Sequence, residues 1–299
     1  MNQIVELGEF LRSCRGRRDP ADAGMPTTAR RRVPGLRREE LAQLAGVSVD
    51  YYTRLEQGRS RTASPEILQS LATALRLDDT ERAHLFDLAN RRPVQRRRSV
   101  PSPAEQVTPA VHQLLGTLDA AYCPAFVLGR RTDVVASNPL ARALIADFDA
   151  MPANERNQNR FVFLDTAARE LYADWESVAA DTAAMLRMDA GRHPEDPQLG
   201  ELVGELAARS EHFRACWAER RVHERTEGTK SYHHPAVGDL TVTYQALALP
   251  GDGNQTLFIY STEPGSSSET ALRLLATWST GLLEEQVRTA APNEPDTTA

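Results

Sequence analysis

The stretch LRREELAQLAGVSVDYYTRLEQGR, Leu36–Arg59, decides how this 299-residue chain is read. It divides into helix, turn and helix. Arg37–Leu44 has the pattern of a short helix with Leu41 and Leu44 directed at a core. Ala45-Gly46-Val47 is the turn. Gly46 supplies the positive φ of a tight helix end, and Val47 plugs the angle between the helices. Ser48 is a suitable cap for a second helix reaching about Gln57, in which Tyr52 and Leu55 point inward. Gly58 ends it.

Working outward, Ile4, Leu7, Phe10 and Leu11 place a helix over about Ile4–Arg15. A long polar interruption, Gly16–Gly35, separates it from the central pair. Ser64-Pro65-Glu66 is a start signal of cap, proline and acid for a helix to Leu75. Asp79-Thr80-Glu81 opens a fifth, to about Ala89. The expected N-terminal domain is therefore all-α, five helices over residues 1–92, with a helix-turn-helix at its centre.

Charge is unevenly divided. The whole chain carries −6, but residues 1–100 carry +6 and residues 101–299 carry −12. Only the first third is suited to meet a polyanion, and the remainder should repel one. RRPVQRRRSVPSP, residues 91–103, reads as a basic, proline-containing linker over 93–103. The polar segment TAAPNEPDTTA implies a disordered tail over 287–299.

Composition excludes several classes. No apolar run approaches the roughly 18–20 residues of a membrane span. Glu6 and Glu9 stand where a secretory signal would be basic and then apolar, so a cytoplasmic location is expected. Cys14, Cys123 and Cys216 form no pair suited to a disulfide framework or cysteine zinc site. Arginine numbers 34 against the single Lys230, which fits a GC-rich genome and also suits phosphate contacts.

Leu36, Leu41, Ala42, Ala45, Gly46, Val47, Ser48, Leu55, Glu56 and Gly58 resemble the lambda-repressor-like, Xre-type transcription regulators. The long insert ending in Arg30-Arg31-Arg32-Val33-Pro34-Gly35, with RRRVPGLRREE and DYYTRLEQG, resembles the MmyB-like branch. The resemblance implies that the second motif helix enters the major groove, with Ser48, Val49, Asp50, Tyr51, Thr53 and Arg54 against base edges. Arg54 has the fork to read a guanine, Asp50 the acceptor for a cytosine amino group, and Val49 the apolar surface for a thymine methyl. Arg38 at a helix start could hold a phosphate. Arg59 and Arg61 should lie near the backbone or simply be solvated. Glu56 reads as a structural tie to neighbouring arginines. The three insert arginines reach along the duplex or add only nonspecific attraction.

Residues 104–286 read as an α+β domain. A helix covers 106–120. AFVLGR and VVASN flank a turn at Arg131-Thr132-Asp133, and Asn138-Pro139 starts a helix. Further helices are expected over about Asp165–Ala180 continuing to Met188, over Pro197–Arg209 and over Glu211–Arg220. DLTVTYQALAL and QTLFIYST read as strands around PGDGN, before a last helix over about Glu269–Gln286. PAFVLGRRTDVVASNPLA, LDTAARELYADWE, GTKSYHHPAVGDLTVTYQAL and TLFIYSTEPGS resemble the MmyB-like ligand-binding domain. That resemblance implies a PAS-like fold and, for some members, a fatty-acid-like ligand in an apolar cavity.

Phe126, Trp175, Phe213, Trp217 and Tyr244, with Met185, Met188 and Phe258, are the large side chains available to line a pocket or to fill a core. The polar anchors weighed are Asn138, Arg160, His234 and Tyr244. A carboxylate prefers Arg160 or a protonated histidine, while Asn138 also serves as a helix cap and His233-His234 as a strand-entry turn. No catalytic motif or metal constellation is present: His223-Glu224 lacks a second histidine, and adjacent His233 and His234 point apart. Lys230 leaves a Schiff base conceivable.

The expected protein is a cytoplasmic, cofactor-free transcription regulator. It binds a double-stranded operator as a homodimer and responds to a small apolar ligand such as a fatty acid. Two alternatives are a DNA-binding protein whose second domain is a constitutive dimerisation or docking module, and a self-regulating enzyme.

Overall fold

The structure is a computed structural model and describes residues 3–25, 35–60, 63–89, 106–219, 226–250 and 255–290. The chain begins with α1 (Gln3–Arg17), α2 (Arg38–Leu44), α3 (Val49–Glu56), α4 (Pro65–Leu75) and α5 (Asp79–Ala89). Local chemistry sets the starts: the Ser48 hydroxyl accepts from the Tyr51 amide at 3.1 Å, and Ser64, before Pro65, accepts from Ile67 at 3.4 Å. Gly46 turns the corner with φ of 66°. Phe10, Leu11, Leu36, Leu41, Tyr52, Leu55, Leu68, Leu71 and Leu85 share one core. Each such side chain contributes about 1.5–3 kcal/mol on burial. Leu44, expected to face that core, is 38% exposed, because Leu41, Ala42 and Ala45 fill the inner face of the short α2.

Next come α6 (Pro109–Ala120), β1 (Ala125–Leu128), β2 (Val134–Ser137), α7 (Pro139–Leu144), α8 (Gln158–Leu164), α9 (Thr166–Leu171) and α10 (Trp175–Arg192). Thr108-Pro109 starts α6 and Asn138-Pro139 starts α7. The sequence marked neither α8 nor the break at Tyr172–Asp174, which divides the long helix expected from Asp165 to Met188. There the chain bonds to a distant strand: Tyr172 bridges to Tyr232, and the Ala173 amide donates to the Ser231 carbonyl at 3.0 Å. These tertiary bonds replace the intrahelical ones.

α11 (Pro197–Arg209) and α12 (Glu211–Glu219) follow, then β3 (Glu227–His234), β4 (Gly238–Ala248), β5 (Thr256–Ser261) and α13 (Ser267–Ala290). The five strands form one sheet in the order β2-β1-β5-β4-β3, every pair antiparallel. β3 extends well before the strand-entry turn read at His233-His234. Its outward positions Thr229, Ser231 and His233 are polar, and its inward ones include Gly228 and Lys230, so no apolar alternation marks it. One sheet face packs Ala125, Val127, Ala136 and Leu257 against Val107 and Leu115. The other carries a run of aromatic rings described below. α13 continues to Ala290, into the tail expected from residue 287, while the linker 93–103 lies outside the described residues.

The described helices and strands belong to two compact units, Met1–Pro101 with Ala179–Glu224, and Ser102–Val178 with Arg225–Ala299. The division is discontinuous in sequence: residues 179–224, within the span 104–286 expected as one domain, pack with the first unit. Within the first unit, Met188 joins the N-terminal core, the Phe10 and His84 rings meet edge-on at 5.0 Å, and the Ser13 hydroxyl donates to the Glu219 carbonyl at 2.9 Å. Among the described residues no helix is long and apolar enough to cross a membrane.

Candidate functional site

In the first unit the motif helix is held from behind by one buried carboxylate. The Glu56 side chain is fully buried. It accepts from Arg15 Nε at 2.9 Å and Nη2 at 3.1 Å, from Arg38 Nη2 at 2.8 Å and Nε at 3.0 Å, and from Arg12 Nε at 3.4 Å. Burial pushes its pKa up, but the hydrogen bonds, those of Arg15 foremost, outweigh that and bring it down to about 2. This is the structural tie the sequence implied. Arg38, expected as a phosphate contact, gives Nε and Nη2 to Glu56 and so also fixes α2 against α3, while its side chain stays 41% exposed.

The opposite side of α3 is open. Val49 is 43% exposed, and the Asp50 and Arg54 side chains are 80% and 56% exposed. Asp50 and Arg54 form an i,i+4 pair at 3.0 Å. Such a pair is worth only about 0.3–0.5 kcal/mol, so either side chain exchanges it readily for a base edge. Ser48 is exposed while capping α3, Tyr51 and Thr53 are half-buried beside it, and Arg59 is exposed after it. The Arg54 carbonyl accepts from the Arg59 amide at 2.8 Å, which fixes where the chain leaves the helix. Arg61 and Arg30–Arg32 lie outside the described residues.

In the second unit the inner sheet face is aromatic. Phe126 stacks on Phe258 at 5.2 Å and meets Tyr260 at 5.8 Å; Tyr260 meets Tyr244 at 6.2 Å and Tyr232 at 6.4 Å. Tyr172, on the turn before α10, lies 5.3 Å from Tyr232 and 6.4 Å from Phe161. Beside Phe126 is an apolar recess lined by Val134, Ser137, Ala141, Ile145, Phe148 and Gln158, with about 10 Å³ of free space. That is room for about one water. The buried Ser137 Oγ and Gln158 Oε1 on its wall have no hydrogen-bond partner among the described residues.

The expected polar anchors are used otherwise. Asn138 is buried: its Oδ1 accepts from the Ala125 and Ala141 amides at 3.0 and 2.9 Å, and its Nδ2 donates to the Cys123 carbonyl at 2.8 Å. That leaves it a cap and a tie, not a ligand anchor. His234 is also spent. Its Nδ1 accepts from the Ala236 amide at 3.2 Å, so Nε2 carries the proton and donates to the Ala143 carbonyl at 2.9 Å. The protonated histidine considered for a carboxylate would lose the Ala236 bond. Arg160 donates to the Asn154 carbonyl. Trp175 donates from Nε1 to the Val162 carbonyl at 2.9 Å, under the Arg169 guanidinium.

Two ring candidates belong elsewhere. Phe213 and Trp217 fall in the first unit, stacked on each other at 5.3 Å with the Arg187 guanidinium 3.9 Å above Trp217. Of the candidates, the structure brings Phe126 and Tyr244 onto one sheet face. Lys230, not among the ligand candidates read from the sequence, lies on the same face. Its signal was its status as the single lysine in the chain.

An exposed recognition helix on a braced helix-turn-helix, together with a separate α+β unit, defines a DNA-binding regulator of transcription with a sensory part. Residues 6–85 match a helix-turn-helix domain family, and residues 107–275 match the MmyB-like transcription regulator ligand binding domain. The chain belongs to the MmyB-like transcription regulators. No curated protein matches it.

Proposed function

We propose that α3 reads an operator in the major groove and that an apolar, fatty-acid-like molecule bound by the second unit changes operator affinity. The observation that carries the DNA part is the two-sidedness of α3. Tyr52, Leu55 and Glu56 anchor one side, and Val49, Asp50 and Arg54 are left to solvent on the other. A helix so fixed presents side chains to base edges without reorganising. The protein acts in the cytoplasm as a homodimer, since one such motif covers a half-site.

The ligand part is supported by the family of residues 107–275 and by the apolar recess at Phe126. With only about 10 Å³ free, the recess admits a chain-like ligand only as Ile145 and Phe148 move aside. Binding therefore selects a second conformation, which regulation needs: a ligand with equal affinity for both states shifts nothing. The test is operator affinity of the full chain, on a sequence selected from random DNA, with and without decanoate. A several-fold shift supports the reading, and identical affinities refute its regulatory part.

A second reading has its own observation. Leu274 and Trp278, one turn apart on α13, are 60% and 62% exposed. A docking or dimerisation module would use such a face. Sedimentation of the Trp278→Glu variant separates the two: a dimer converted to monomer, with decanoate inert throughout, favours the module.

A further inference from the structure

Lys230 is the only lysine of the chain, and its surroundings are unusual for a surface cation. On β3 it shares the inner sheet face with Tyr232 and pairs across to Val242. Its Nζ lies 5.3 Å from the ring centre of Tyr244 and 5.9 Å from those of Tyr172 and Tyr260. Gly228 makes the box possible: a Cβ there would come within 2.9 Å of the Tyr244 hydroxyl and Cε1. The ammonium is half-buried and makes no hydrogen bond or ion pair among the described residues. Three ring faces offset part of the cost of withdrawing a charge from water. None supplies the counter-charge.

The same face holds unspent donors. The Tyr232 and Tyr260 hydroxyls neighbour each other without closing a hydrogen bond, and have no other partner among the described residues. Burial pushes the Tyr172 and Tyr232 hydroxyls well above the usual tyrosine range, so they remain protonated donors at any physiological pH. One ammonium with O–H donors suits a single negative charge, and a carboxylate accepts from both kinds of group. The aromatic run continues from Tyr260 to Phe126 and so to the apolar recess. From β3 to β1 is three inter-strand steps, about 14 Å, the length of an extended chain of roughly ten to twelve carbons.

We propose that Lys230, walled by Tyr172, Tyr244 and Tyr260, is the anion anchor for a ligand with a carboxylate on an unbranched apolar body whose tail runs toward Phe126. This rests on the second unit being a ligand-binding domain. The uniqueness of Lys230 provides the test. Reductive ¹³C-dimethylation of the full chain keeps the charge and labels only Lys230 and the N-terminus. Decanoate should shift the Lys230 methyl signal and decanol should not. By calorimetry, Lys230→Met should bind decanoate about tenfold or more weakly, with decanol binding and ligand-free melting unchanged.

If decanoate raises the melting temperature while the Lys230 signal stays fixed, or binds Lys230→Met as tightly as the parent, the anchor is overturned and an apolar ligand site remains. If decanoate alters neither melting nor the signal, both are overturned. A shifted signal with unchanged operator affinity supports the anchor and removes the regulatory role. Should Lys230→Met fail to fold, the ¹³C titration of the parent chain decides alone.

Discussion

Replacing Glu56 with glutamine should weaken the first unit by about 3 kcal/mol at pH 7, for reasons set by its three arginines. Arg12 and Arg38 have half-exposed side chains, at 53% and 41%, and are largely solvated without Glu56. Arg15 is only 13% exposed, and its Nη1 is already given to the Leu36 carbonyl at 2.6 Å. The loss is therefore essentially that of one buried pair, about 3–5 kcal/mol when one partner is removed. The titration of Glu56 gives a similar figure. A carboxyl held at about 2 instead of its ordinary 4.5 contributes about 3 kcal/mol. A depressed carboxyl pKa stabilises above its unfolded value, so this contribution is complete above about pH 4.5 and falls away toward pH 2. The gap between parent and Glu56→Gln should thus shrink by about half at pH 3. The assay is urea unfolding followed by Trp217, which lies in the first unit, with Trp175 and Trp278 replaced by phenylalanine. A gap below about 1 kcal/mol at pH 7, or one that does not change with pH, would refute the reasoning.

Other outcomes follow from the same structure. Arg54→Ala should cost about 1–3 kcal/mol on the true operator and little on random DNA; equal losses in a binding titration would make it a phosphate contact. Gly191→Ala places a Cβ 2.5 Å from the His84 ring, so the first unit should lose about 1–3 kcal/mol in the same urea assay, and an unchanged midpoint would count against that packing. The Cys14 thiol, pushed up to about 12 chiefly by burial, should resist iodoacetamide at pH 8 until the protein unfolds; mass spectrometry showing rapid native alkylation would contradict its burial. Residues 1–92 alone should melt below the first-unit transition of the full chain, and equal melting temperatures would show that residues 179–224 contribute nothing to it.

What was legible in the sequence was what short-range chemistry decides. Ser48, Ser64-Pro65 and Asn138-Pro139 mark helix starts within a residue of their observed places, and Gly46 marks the turn. Glu56 could be read as a tie because an acid at an inward helical position needs a partner. What depended on distant partners was not legible. The break at Tyr172 is made by β3, some sixty residues on, and β3 hides because its inner face carries Gly228 and Lys230 instead of aliphatic residues. Asn138 was legible as a helix cap and His233-His234 as a turn, but the bonds of Asn138 to Ala125 and Cys123 and of His234 to the Ala143 carbonyl depend on more distant backbone. Phe213 and Trp217 lie within the matched ligand-binding domain yet in the first compact unit, a placement that position along the chain does not show.

The discontinuity of the first unit also sets a timetable for its birth. Its opening helices leave the ribosome first, yet Met188, which joins their core, and Glu219, which ties down Ser13, are made much later. From Pro101 to Glu224 at about 5–20 residues per second, the wait is on the order of 6–25 s. During that interval the basic, half-finished helical bundle stands with the Phe10 side of its core, later met by Arg187, Ala190 and Gly191, uncovered, and nascent chains halted between these points should be the ones that chaperones and proteases find.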